Sequence, residues 1–386
     1  MRVGSWSVAA LLSAGCASAP ATQTTPAPHS PVSQASPAPQ PPQATLSSAS
    51  VDAGAPPEPS ASAAPAPVPA PRTLARNTGT PADRALAEGD TAFERGDVAL
   101  AKRHYTKAAG LDANDPAPIV GLVRCELEAT PPDFVYGGAP NDRRLGALLE
   151  RLERARKLDP NYGPAELERG KILFVLGRGD EATRALEHAV ALRPNDIDAN
   201  GMLGVALMSM GASARALPSL HRVTDLDATS PEGFTNLGTA LLLLGQVGEA
   251  VSAFERAAAI APNDARVHSD LGTAYSAQGQ VDRAVVELRR ATELAPKRAT
   301  FHSNLAHALE LRGELELAVA SAKTATSLDP KLGAAWINLG TASAKKGDFS
   351  AARRAFEKAA ALDPTDPRPK ANLEELAELE KKTRPR

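Results

Sequence analysis

Residues 231–264 read PEGFTNLGTALLLLGQVGEAVSAFERAAAIAPND. Phe234, Leu237, Leu241 and Leu244 fall at helical spacing in the first half, and Ala250, Phe254 and Ala257 do so in the second. That spacing predicts two short helices. Gly245 follows the first apolar run, where a helix end favours a residue that tolerates a left-handed backbone. Pro262 stops the second helix, and Asn263-Asp264 can cap the one after it. A helix pair of this size matters only if it recurs, and it does, at a step of 34 residues.

Glycines stand at 177, 211, 245, 279, 313 and 347, with Gly96 in the same series once an insertion is allowed for. Prolines stand at 160, 194, 262, 296, 330 and 364, with Ala228 in the one gap. Alanines at 182, 216, 250, 284, 318 and 352 form a third column. The Leu-Gly pair at 203–204, 237–238, 271–272 and 339–340, varied to Leu305-Ala306, forms a fourth. Independent columns at one period identify an internal repeat.

These columns resemble the tetratricopeptide repeat (TPR), with the pattern carried well by Leu271-Gly272, Tyr275, Ala284, Ala291 and Pro296, and by Trp336, Leu339-Gly340, Ala352, Phe356, Ala359 and Pro364. The resemblance implies an all-α fold, a right-handed superhelix (α-solenoid) of helix-turn-helix units. Eight repeats are read: 82–115, 116–162, 163–196, 197–230, 231–264, 265–298, 299–332 and 333–366. The second carries an insertion at about 130–142, TPPDFVYGGAPND, whose prolines and glycines predict a loop ending in a helix cap. Phe134 and Tyr136 in it are either a recognition finger or a fold-back onto the nearest helices. One repeat buries too little apolar surface to stand alone, so stacking must stabilise it and the ends need polar covers. Residues 367–383, with Leu373, Leu376 and Leu379 among many Glu and Lys, are expected to be the C-terminal capping helix, within a terminal segment 367–386.

The chain has 386 residues, 43% hydrophobic and 4% aromatic, with a net charge of −2. The near balance of charge makes no case for nucleic acid, which calls for a clustered basic face. Low aromatic content suits closely packed helices better than a sheet. Two cysteines, Cys16 and Cys125, exclude a disulfide framework.

The first 81 residues are different in kind, holding 16 of the 33 prolines. Residues 1–16, MRVGSWSVAALLSAGC, combine an early arginine, a short apolar run and small residues, as an export signal does. Leu12-Ser13-Ala14-Gly15-Cys16 resembles a bacterial lipobox, although Ser13 stands where leucine is typical. That resemblance implies cleavage before Cys16 and its lipidation, hence an outer-membrane or periplasmic lipoprotein; plain periplasmic secretion is the alternative. Residues 17–81, rich in Pro, Ala and Ser, are expected to be a disordered linker, either a tether or a tolerated spacer.

No P-loop, dinucleotide fingerprint, nucleophile elbow or catalytic carboxylate pair is present, so no catalytic residue is assigned. His268 and His302 share the fourth place of neighbouring repeats with Phe234 and Trp336, which reads as a packing position rather than a metal set. Neither metal, cofactor nor small-molecule substrate is expected, and Cys125 reads as a buried inert thiol.

One column points to binding. The sixth place of successive repeats reads Asn236, Asp270, Asn304 and Asn338, then Asn372 in the capping helix. The array resembles the TPR region of O-linked N-acetylglucosamine transferase. That likeness implies that this column faces a concave groove and holds an extended peptide by its backbone, a carboxamide having both donor and acceptor. The bland alternative is that asparagine before Leu-Gly only solvates the groove. Lys345, Thr239, Thr273, His307 and Thr341 would flank it. The expected function is a protein-interaction scaffold at the cell envelope; an assembly factor for a pilus or secretion system, or a non-catalytic regulatory subunit, are the alternatives.

Overall fold

The computed structural model describes residues 69–70, 72–132 and 134–383. The export segment with Cys16, the linker as far as residue 68 and the last three residues lie outside them. Among the described residues there are seventeen α-helices and no strand. None of these helices is long and apolar enough to cross a membrane.

The helices form hairpins, one per repeat. The first four pairs are α1 (Pro81–Glu94) with α2 (Val98–Leu111), α3 (Ala117–Ala129) with α4 (Arg143–Leu158), α5 (Gly163–Val175) with α6 (Gly179–Leu192), and α7 (Ile197–Ser209) with α8 (Ser213–Leu226). The next four are α9 (Pro231–Leu243) with α10 (Val247–Ile260), α11 (Ala265–Ala277) with α12 (Val281–Leu294), α13 (Ala299–Leu311) with α14 (Leu315–Leu328), and α15 (Gly333–Lys345) with α16 (Phe349–Leu362). Helix α17 (Pro367–Thr383) closes the series.

The repeat 231–264 shows how local chemistry sets each hairpin. The Ser230 hydroxyl accepts the Gly233 N–H at 3.1 Å and caps α9. At its other end Gly245 has φ +75°, with Gly245 N–H on Leu242 C=O at 3.0 Å and Gln246 N–H on Leu241 C=O at 2.9 Å. This pairing satisfies carbonyls the helix leaves open and reverses the chain. The Asp264 carboxylate then caps α11 through the Arg266 N–H at 2.8 Å.

Within a hairpin the two helices meet where a glycine faces a large ring or branch. A Cβ on Gly238 would lie 2.9 Å from the Phe254 ring, and one on Gly340 would lie 2.4 Å from the Phe356 ring. Repeat 299–332 solves the same contact in reverse: Ala306 replaces the glycine, and the residue at the phenylalanine place shrinks to Ala322.

Between repeats, each second helix packs on the next first helix. First helices also pack on the first helices of the adjoining repeats, which second helices do not do to a comparable extent. The closer spacing puts the odd-numbered helices on the inner side of the stack. The fourth place of the repeat supplies a further tie. Asn200, His268, His302 and Trp336 all place a side-chain nitrogen on the carbonyl of the residue six positions earlier, Pro194, Pro262, Pro296 and Pro330, at 2.9–3.0 Å. His268 and His302 therefore fasten the entry of each hairpin.

The insertion folds back. Tyr136 donates its hydroxyl to Gly177 C=O at 3.0 Å, and its ring packs 5.4 Å from that of Phe174. The N–H groups of Gly137 and Ala139 donate to the carbonyls of Phe174 and Val175 at 3.1 Å. The loop thus satisfies carbonyls at the end of α5 that the helix cannot satisfy itself. At the far end, Leu376 of α17 is buried against Phe356, Leu373 packs beside it, and Leu379 remains exposed.

Residues 69–80 correct the expected linker boundary. Among those described, 69–70 and 72–80, none is in a helix or strand, yet Leu74 is only 1% exposed and belongs to the hydrophobic core. An apolar anchor and a set of hydrogen bonds to side chains outweigh the ordering entropy that proline-rich composition leaves unpaid.

Candidate functional site

Among the described residues, the inner face divides into a half crossed by another segment and a half that none crosses. Residue 70 and residues 72–78 lie across the first half. The Ala70 N–H donates to Asn195 C=O at 2.7 Å, at the entry of repeat 197–230, and the Thr78 N–H donates to Asp83 of α1 at 2.6 Å. Passing from the fourth first-helix to the first spans roughly 25–30 Å at normal helix separations, the reach of eight nearly extended residues. The segment runs opposite to the repeat order.

Its main chain is held by inner-face side chains. Asp90 Oδ2 accepts the N–H groups of Leu74 at 2.8 Å and Ala75 at 2.9 Å, while its Oδ1 accepts the Tyr105 hydroxyl at 2.9 Å. Asp83 accepts the Arg76 and Thr78 N–H groups at 2.6 Å each. Burial pushes the Asp83 carboxyl up, but those backbone donors outweigh it and hold it below the ordinary aspartate value. Arg124 Nη1 donates to Arg72 C=O at 3.2 Å, and the Tyr162 hydroxyl donates to Leu74 C=O at 3.4 Å.

Arg124 is itself positioned by Glu168, whose Oε1 accepts Arg124 Nε at 2.8 Å and Lys171 Nζ at 3.2 Å. Burial by itself would raise the Glu168 carboxyl; the Lys171 and Arg124 cations outweigh it and hold Glu168 below the usual range. The charges are thus fixed before any ligand arrives.

The other half carries the asparagine column. Asn304 Nδ2 donates to Ser269 Oγ at 3.1 Å, and Asn338 Nδ2 donates to Ser303 C=O at 2.9 Å and Ser303 Oγ at 3.0 Å. Both bonds run to the first helix of the preceding repeat. The amide donors therefore tie neighbouring repeats together.

Asn236 is buried at 6% exposure and Asp270 is half-buried. Burial pushes the Asp270 carboxyl up to about 7, with Arg266 opposing and Asp264 adding slightly. Asn372 lines a hollow of about 390 Å³ with Thr341, Lys345, Phe349, Phe356 and Leu379.

The flanking threonines donate inward: Thr239 to Thr235 C=O at 2.9 Å, Thr273 to Ser269 C=O at 2.9 Å, and Thr341 to Ile337 C=O at 3.0 Å. Lys345 pairs with Glu310, which His307 Nδ1 also approaches at 3.6 Å. Burial raises the Glu310 carboxyl, and hydrogen bonds from His307 and Lys345 more than reverse that. Cys125 is buried, and burial pushes its thiol up to about 11, so it is protonated and unreactive at neutral pH.

The column was visible in the sequence; Asp90, Arg124 and the segment they hold were not identified from it. A signal existed. Arg72 and Arg76 are the only basic side chains between Arg2 and Arg84, and they bracket a leucine in a run otherwise poor in large apolar residues.

The fold and this inner face define a stack of helix hairpins that presents side chains for binding. Family models for the tetratricopeptide repeat match residues 202–265, 241–309, 299–332 and 333–366. The chain is a tetratricopeptide-repeat protein.

Among solved structures it resembles the APC/C hetero-tetramer Cut9-Hcn1, with a TM-score of 0.54 and 16% identity over 78% of this chain. The match spans 57% of that chain, and it is a likeness of fold. YrrB, described as a TPR protein with an unusual peptide-binding site, matches at 23% identity and a TM-score of 0.43 over 51% of this chain and 95% of its own. MamA matches at 27% identity and a TM-score of 0.39 over 42% of this chain and 95% of its own. No curated protein matches. The repeats support a protein-interaction scaffold.

Proposed function

We propose that the inner face of repeats 5–8 binds an extended segment of a partner protein, and that the chain works as a non-catalytic scaffold. The observation that carries this reading is the segment 70–78. On the first half of the same face, side chains of first helices and of Tyr162 beside one hold a non-helical chain largely by its backbone. On the second half, Asn304, Asn338 and Asp270 carry oxygens that would accept the N–H groups of such a chain.

Peptides selected from a random display library against the full chain test it. Affinity is expected to fall about tenfold or more in Asn304→Ala/Asn338→Ala, the loss of two net hydrogen bonds. Melting of the same variant separates lost contact from loosened repeats. Undiminished binding by the folded double variant would remove repeats 5–8 as the site.

The lipobox-like stretch supports a further part of this proposal: Cys16 carries a lipid and the chain is held at a bacterial envelope membrane, where a tether raises the local concentration of partners. Cys16→Ala should then move the protein from the membrane fraction to the soluble fraction. Persistence in the membrane pellet would rule out lipid attachment at Cys16 as the anchor.

A further inference from the structure

We infer that the inner face of repeats 1–4 is a second peptide site, selective for extended segments of the pattern Arg-x-Leu-x-Arg, which residues 72–76 (RTLAR) of this chain occupy from within. The inference rests on the inner-face reading above and extends it to the other end of the array.

Three side chains of the segment are read by the repeats. Leu74, at a bend in the chain, is buried as a core residue. Arg72 pairs with Asp198 at 2.9 Å. Arg76 pairs with Asp115 at 3.3 Å, and its guanidinium lies 4.9 Å from the centroid of the Tyr162 ring. The acids come from different repeats, so a segment must carry both cations at this separation to satisfy them together. The intervening contacts go to main chain: Asp90 to two N–H groups, Arg124 and Tyr162 to two carbonyls. Backbone bonds fix an extended course for any sequence, and the leucine and the two arginines select among sequences.

The occupant is covalently joined to α1, so its effective concentration is on the order of millimolar. A competing segment of micromolar intrinsic affinity meets a groove that is closed most of the time. Partners carrying the pattern gain access only when the internal segment is released or outcompeted.

The experiment uses a fluorescein-labelled peptide of residues 69–80, PAPRTLARNTGT, and anisotropy with the full chain. Leu74→Asp should expel the internal segment, and the peptide should then bind roughly 100-fold more tightly than to wild type. Should melting show that Leu74→Asp does not fold, Arg72→Ala/Arg76→Ala weakens the segment without touching the core and should give a gain of roughly three- to tenfold. A peptide with aspartate in place of its leucine should not bind, and adding Asp90→Ala to either variant should abolish binding. Equal affinity for wild type and folded variants, or no binding by folded variants, would overturn the inference. Asn304→Ala/Asn338→Ala should leave this peptide unaffected, which separates failure here from failure of the site on repeats 5–8.

Discussion

Gly238→Val should destabilise the protein by roughly 3 kcal/mol, the upper part of the range for overpacking a core. Even the first carbon of the new side chain would sit 2.9 Å from the Phe254 ring, and Phe254 is fully buried, so the ring has no open space into which to turn. Valine adds two methyl groups to that collision. Because stability in such an array is a sum over repeats and their interfaces, a break at repeat 231–264 divides the stack near its middle. Thermal melting should begin at a lower temperature than in the unsubstituted protein, and hydrogen exchange should show early opening of α9 and α10.

A double-mutant cycle isolates the cause. Phe254→Ala alone should cost about 3–5 kcal/mol by leaving a cavity. Adding Gly238→Ala to it should cost nothing further, since the pair then copies Ala306 and Ala322. Additive penalties would show that the glycine is required for its backbone and not for the approach of the ring.

Asp270→Asn should stabilise the protein at pH 8 and flatten its pH dependence. Burial raises the Asp270 carboxyl from its ordinary value of 3.8 to about 7. Between those values the folded chain retains a proton that the unfolded chain has released. The folded state is therefore favoured by the neutral acid at low pH, and that stability is lost as pH rises from about 4 to 7. The full shift corresponds to about 4 kcal/mol, and partial access to water reduces the expected gain at pH 8 to roughly 1–3 kcal/mol. Asparagine already serves at the equivalent places 304 and 338, so the substitution introduces no new shape. Denaturant melts of both proteins at pH 5 and pH 8 check the sign. Equal stabilities at pH 8 would show that Asp270 is solvated as an ordinary carboxylate.

The hairpins were legible because their determinants are local and repeated. A glycine at φ +75°, an aspartate cap and an apolar period of 3.6 act within a few residues, and repetition at 34 turned weak signals into columns. The place of His268 and His302 was also legible as structural, although not the bond each makes to a proline carbonyl. The role of the asparagines was half legible. Their position on first helices followed from the period, but the serine that takes each amide donor lies 35 residues earlier, in the preceding repeat.

By itself, then, the sequence determined the repeat, the number of hairpins and the asparagine column on their first helices, because these depend on spacing along one chain. Only the tertiary structure decided which part of the inner face the segment 72–78 covers. Residues 69–80 have the composition of a linker, and only their last part is ordered locally, by Asp83. The earlier part is ordered by Asp90, Arg124, Tyr162 and Asp198, the last of them 126 residues from its partner Arg72, and these side chains come together only when the repeats stack.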